Sequence, residues 1–214
     1  MNDPSNHTKG AAGVSRREFL RGSGAGVAAT ALAHAPGVGL LEADTPKAKT
    51  DAVPAIGPAP ATVKLTVNGA KMTYAVEPRV TLLDLLRNHL DVTGCKRVCD
   101  RGSCGACTVI LDGKPVYSCT LLALEAQGRE VKTAEALAAD GRLDAVPAAF
   151  VKHDAQQCGF CTPGFVVSLR AALDHNPKAT PAEIEEALSG NICRCGTYEQ
   201  MRHAIADLCG KKGE

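Results

Sequence analysis

Eight of the ten cysteines fall into two sets of four: Cys99, Cys104, Cys107 and Cys119, then Cys158, Cys161, Cys193 and Cys195. Thiolates are soft anionic ligands, and four of them are the complement of one iron-sulfur cluster. The first set has the C-x4-C-x2-C…C spacing that wraps a [2Fe-2S] cluster in one loop, its last ligand returning from further along the chain. Gly102 and Gly105, between and beside these ligands, supply tight backbone where a side chain would obstruct. Eight thiolates suffice for two clusters, which points to electron carriage rather than bond making. Nothing resembles a nucleophile with its base, a phosphate-binding glycine loop or a dinucleotide fingerprint. His89, His153, His175 and His203 read as surface or capping groups, and Glu183, Glu185 and Glu186 as a solvated helix face.

Two other uses of the cysteines stand beside the cluster reading. Ten cysteines permit disulfides in an oxidising compartment, although Cys193 and Cys195 are too close for an easy bridge to each other. Cys158-x2-Cys161 with Cys193-x-Cys195 also supplies four thiolates for zinc. Cys95 breaks the ligand spacing and reads as a non-ligand thiol, and Cys209 as a small buried hydrophobe.

The elements that must position these residues differ between the halves. From 61 to 133 the pattern is strands around one helix. Val63, Leu65 and Val67 alternate with polar neighbours, Asn68-Gly69 marks a hairpin turn, and Met72, Tyr74 and Val76 continue the alternation. Thr81, three residues before Asp84, resembles a capping box that opens a helix carrying Leu82, Leu85, Leu86 and Leu90. Asp112-Gly113 turns a second hairpin that returns Cys119 to the cysteine loop. From 134 to 214 the pattern is helical. Pro163 opens a helix that stops at Asn176-Pro177, Thr180-Pro181-Ala182-Glu183 is a capping box for a second, and Thr197-Tyr198 opens a third. Both cysteine pairs of this half precede helix N-termini, whose partial positive charge favours thiolates.

The N-terminus is of another kind. Ser15-Arg16-Arg17-Glu18-Phe19-Leu20-Arg21, the weakly apolar stretch to Ala35 and the Ala31-Leu32-Ala33 site have the layout of a twin-arginine export signal over residues 1–35. Residues 36–60 carry five prolines among Ala, Gly, Lys and Asp and read as a linker. No later segment approaches the roughly 20 apolar residues that span a bilayer, so a soluble mature chain is expected. With 24 basic and 23 acidic side chains the chain has no electrostatic footprint for nucleic acid. With no Trp, 3 Tyr and 4 Phe it has no rich aromatic core, so bound clusters are expected to supply part of the folding energy.

Cys99-Asp100-Arg101-Gly102-Ser103-Cys104-Gly105-Ala106-Cys107-Thr108-Val109 resembles the cluster loop of the iron-sulfur subunits of molybdenum hydroxylases, the xanthine dehydrogenase and aldehyde oxidoreductase family. Gln157-Cys158-Gly159-Phe160-Cys161-Thr162-Pro163-Gly164 and Gly190-Asn191-Ile192-Cys193-Arg194-Cys195 resemble its second cluster motif, and the likeness runs from about Val63 to Leu208. Cys95 and Val98 depart from it, standing where the family more often has Thr and Gly. The resemblance implies an α+β chain: an N-terminal plant-type ferredoxin β-grasp domain (61–133) followed by an all-α [2Fe-2S]-binding helical bundle (134–214). It further implies two [2Fe-2S] clusters held by the eight cysteines, and disfavours zinc and a free-standing ferredoxin. The implied partners are a large subunit with molybdopterin, which oxidises an aldehyde or N-heterocycle, and an FAD subunit or cytochrome that accepts the electrons. Gln157 and Cys195 would approach the pterin, and the complex would be periplasmic, exported folded.

Overall fold

A computed structural model describes residues 56–138 and 141–210 of the chain. The twin-arginine segment, its cleavage site and the linker as far as residue 55 lie outside the described residues.

Strands β1 (Ala61–Val67) and β2 (Ala70–Val76) form the first hairpin, closed by Asn68 and Gly69 at φ 50° and 84°. Both turn residues are left-handed, as the tight primed turn between twisted strands requires. β3 (Thr108–Leu111) and β4 (Lys114–Tyr117) form the second around Asp112 and Gly113, at φ 47° and 81°. β5 (Glu130–Lys132) then inserts between the hairpins, parallel to β1 and antiparallel to β3, to give the order β2-β1-β5-β3-β4.

Val63, Leu65 and Val67 line the inner face of β1 as their alternation predicts. The same expectation fails for Tyr74, which is 37% exposed because β2 is an edge strand; its ring lies 4.8 Å from that of His89. β3 is buried at all four positions. Val109 and Leu111 face the core that contains Leu82, Leu85 and Val131, while Ile110 packs against Val167 and Ala171 of a helix on the opposite face.

The helix opened by Thr81 is shorter than expected. Thr81 caps Asp84 N at 3.1 Å, α1 covers only Leu82–Asp84, and a π-turn follows over Leu85–His89, where Leu90 N bonds Leu85 O at 3.1 Å. Leu82, Leu83, Leu85 and Leu86 are all fully buried, a patch broader than the single stripe of a surface helix.

After a 3-10 turn at Ala134–Ala138 the chain is helical: α2 (Ala145–Lys152), α3 (Thr162–His175), α4 (Pro181–Ala187) and α5 (Tyr198–Gly210). The signals at Pro163, Asn176-Pro177, Thr180 and Thr197 fall at these boundaries. Asn176 takes the extended backbone that a following proline imposes, and Thr180 and Glu183 form the reciprocal capping box. The sequence reading missed α2; its signal is Asp144, whose carboxylate accepts from Val146 N at 2.9 Å. Val146, Phe150, Phe165, Leu169, Ile184, Met201 and Ile205 make the second core. Among the described residues no helix is long and apolar enough to cross a membrane.

Candidate metal centre

The first quartet sits on the loop between α1 and β3, and its fourth member is returned by β4. Asp100, Gly102 and Gly105 have φ of 55°, 71° and 69°, so the loop curls through three left-handed positions. This turns backbone N–H groups toward sulfur: Gly102 N donates to Cys119 Sγ at 3.2 Å and Ser103 N to Cys99 Sγ at 3.3 Å. Such donors stabilise charge on a thiolate and tune the centre it ligates. A side chain at Gly102 would meet Thr120 Cγ2 at 2.9 Å. The sulfurs interact two by two, Cys99 with Cys104 and Cys107 with Cys119. Slight burial pushes the Cys99 thiol up, but the backbone N–H groups of Arg101 and Ser103 outweigh it and hold it at about 7. Deeper burial pushes Cys107 up to about 12.

The second quartet is drawn together from two helix entrances. Cys158 and Cys161 precede α3, with Cys161 as its N-cap, and Cys193 and Cys195 precede α5. Cys158 and Cys195 sulfurs are 3.5 Å apart, and Cys161 neighbours Cys193. Burial followed by the proximity of Cys193 pushes the Cys161 thiol up to about 12. Burial also raises Cys193, but the Thr197 hydroxyl at 3.2 Å and the N–H groups of Thr197 and Gly196 bring it down to about 7.

Both quartets therefore gather their sulfurs in pairs, which suits a diiron core with two thiolates on each iron. All ten cysteines are free, so the disulfide alternative does not hold. Among the described residues no group of three or more His, Cys, Asp or Glu side chains is gathered around a single point that could hold one metal ion. The donors present, eight sulfurs in pairs with backbone N–H groups aimed at them, fit two [2Fe-2S] clusters.

Gln157 precedes Cys158 in the chain and is exposed, as are Cys158 and Cys195. It does not cap α3, whose N-cap Cys161 carries no side-chain hydrogen bond. Cys95 is 2% exposed and burial pushes its thiol up to about 11. Cys209 packs half-buried against the second core. Sequence reasoning missed three residues between the quartets. Tyr117 Oη donates to Gly190 O at 3.0 Å, Asn191 Nδ2 donates to Gly105 O at 3.1 Å, and Ile192 N donates to Cys104 O at 3.0 Å. Burial and the neighbouring sulfurs push the Tyr117 phenol up, which keeps its proton available for donation. Their signal in the sequence is position alone: Tyr117 and Asn191 stand two residues before Cys119 and Cys193, and Ile192 one before Cys193.

Three family models match the chain: a 2Fe-2S iron-sulfur cluster binding domain over residues 65–138, a [2Fe-2S] binding domain over 133–206, and a twin-arginine translocation pathway signal sequence over 13–33. The chain is 46% identical over 151 residues to the nicotine 6-hydroxylase small subunit of Paenarthrobacter nicotinovorans, covering 71% of this chain and 91% of that one. It is 43% identical over 176 residues to the aldehyde oxidoreductase iron-sulfur-binding subunit of Escherichia coli, covering 74% and 77%. The crystal structure of quinoline 2-oxidoreductase from Pseudomonas putida contains a similar chain, with a TM-score of 0.68 and 39% identity over 73% of this chain and 99% of that one.

Proposed function

We propose, for a chain that belongs to the iron-sulfur small subunits of the molybdenum hydroxylases, that its eight paired cysteines form the wire between a catalytic subunit and an electron acceptor. The chain is an electron-transfer subunit of a molybdenum-dependent oxidoreductase, and its partner is a molybdopterin-containing large subunit. A bound [2Fe-2S] cluster supplies one-electron chemistry. Cys99, Cys104, Cys107 and Cys119 would hold one, in a β-grasp domain ending near residue 133, and Cys158, Cys161, Cys193 and Cys195 the other, in the helical bundle that follows.

The observation that carries this reading is the bonded connection between the quartets. Ile192 N, one peptide from Cys193, donates to Cys104 O at 3.0 Å, so a single hydrogen bond joins a ligand residue of one set to the neighbour of a ligand in the other. The order of use follows from exposure. Cys158 and Cys195 lie exposed among Phe160, Ile192 and Tyr198, which are 50%, 53% and 40% exposed. An apolar face around exposed ligands is suited to cover by a partner, and we assign it to the large subunit, with Gln157 and Cys195 nearest the pterin. Electrons then enter at the second quartet and leave from the first, toward an FAD subunit or a cytochrome. The relatives point to an aldehyde or an N-heterocycle as substrate of the complex, and the twin-arginine signal to the periplasm.

Purified chain should contain about four iron and four acid-labile sulfide. Zinc in their place would overturn the assignment. Gln157→Ala should keep both centres yet slow reduction of the chain by the molybdenum subunit or weaken assembly with it; wild-type turnover and assembly would remove Gln157 from the interface. Replacing Arg16 and Arg17 by Lys should retain the chain in the cytoplasm, and unchanged export would count against a twin-arginine route.

A further inference from the structure

The two cysteine loops meet where side chains are absent. A Cβ on Gly105 would lie 2.5 Å from Asn191 Nδ2 and 2.8 Å from Gly190 O, and one on Gly164 would run into Gly105 O and lie 2.9 Å from Ala106 Cα. Gly105, Gly164 and Gly190 therefore let the first loop press against the entrance of α3 and the loop before Cys193. Close approach alone does not hold surfaces together. Beside this contact runs a cleft of about 560 Å³ lined by Thr108, Tyr117, Ser168, Ala171 and Asn191 among others, so packing leaves the seam unfilled there. Three hydrogen bonds cross it, and two come from side chains.

Tyr117 is placed to act as a strut. It ends β4 two residues before Cys119, its ring passes 3.9 Å from the Cβ position of Gly102 in the first loop, and its hydroxyl reaches Gly190 O in the second. Asn191 crosses in the opposite direction, from the second loop to the carbonyl that follows Cys104; it is 6% exposed. The two side chains thus stand beside the Ile192–Cys104 backbone bond, one donating from each half of the chain.

We propose that Tyr117 and Asn191 are positioning residues that hold the two cysteine loops at a single separation, and thereby set the rate at which electrons cross between the quartets. This rests on the two-cluster reading. Neither side chain is a ligand; both act through the distance and the bonded contact that they preserve.

Tyr117→Phe isolates the effect, because it keeps the ring and removes only the donor to Gly190 O. In the full chain the loss of one ordinary hydrogen bond should raise opening of the seam about fivefold, read as about fivefold faster hydrogen exchange of the Ile192 amide. The magnetic interaction between the two reduced centres should weaken and inter-centre electron transfer should slow, while iron, sulfide and the line shape of each centre stay as in wild type. Unchanged exchange and unchanged magnetic interaction in fully loaded variant would overturn the proposal. If Tyr117→Phe does not accumulate folded, wild-type protein decides: an Ile192 amide that exchanges as fast as exposed loop amides means there is no clasp. The two readings separate cleanly, since absence of iron and sulfide from wild type would sink the two-cluster assignment, whereas loaded wild type with an indifferent variant would sink only the role of Tyr117.

Discussion

The two quartets solve one chemical problem in opposite ways. In the sheet-bearing half a single loop carries three of the cysteines and a hairpin returns the fourth; two of the four, Cys107 and Cys119, are buried, and backbone N–H groups supply the donors to sulfur. In the helical half the four cysteines come from two helix entrances, the Thr197 hydroxyl is among the donors, and Cys158 and Cys195 are exposed. A site enclosed by its own loop needs little from outside. One assembled at helix ends leaves a face for another subunit to cover, and its geometry depends on the packing of α3 against α4 and α5.

The largest test of this contrast is removal of one ligand from each side. Cys104→Ser should lower iron from about four to about two per chain and remove one paramagnetic signal, while Cys161→Ser removes the other. Loss of both signals from each soluble variant would mean that ligands are shared between the sets. Cys95→Ser, by contrast, should leave the iron content unchanged.

Smaller effects should follow the two cores. Leu86 and Leu169 are both fully buried, one beneath the first loop and one along α3. Truncation of either to Ala should cost about 2 to 5 kcal/mol by loss of burial and creation of a cavity, measured by denaturant unfolding. If enclosure matters as argued, Leu169→Ala should release iron from the second centre at lower denaturant than Leu86→Ala releases it from the first. The reverse order would break the comparison.

The smallest effect expected is at the α4 cap. Thr180→Ala should cost about 1 kcal/mol. The Thr180 N–H and hydroxyl hold the Glu183 carboxyl below its ordinary value of 4.5, so its contribution is present above that value and is lost as pH falls through the lower folded one. Thermal melts of Glu183→Gln should accordingly lose part of their acid dependence in that window; an unchanged pH profile would show that the cap carries no charge-dependent stability.

Much of this was legible in the one-dimensional chain, for reasons that are local. Cysteine spacing names the candidate ligands because a loop of a few residues must place each thiolate around one small core. Asn68-Gly69 and Asp112-Gly113 mark hairpins because few residues adopt left-handed backbone cheaply, and Thr180 to Glu183 marks a helix start because the cap is completed within four residues. The edge position of β2, which leaves Tyr74 exposed, the insertion of β5 and the double burial of β3 were not legible. They depend on which strands pair and on which helix covers the outer face, and alternation along one strand carries no information about either. The π-turn over Leu85–His89 is similar: its leucine spacing fits a regular helix, and the surrounding core decides otherwise.

The sequence by itself determined the chemistry: which sulfurs can ligate, which turns and caps form, and that electrons are the cargo. Only the tertiary structure decided how the two quartets face each other, through Tyr117, Asn191 and Ile192 meeting Gly190, Gly105 and Cys104 across 73 to 88 residues of chain. Such contacts join residues whose separation along the chain has no fixed period, so no local pattern encodes them; they exist because two separate cores pack with glycines at the point of closest approach.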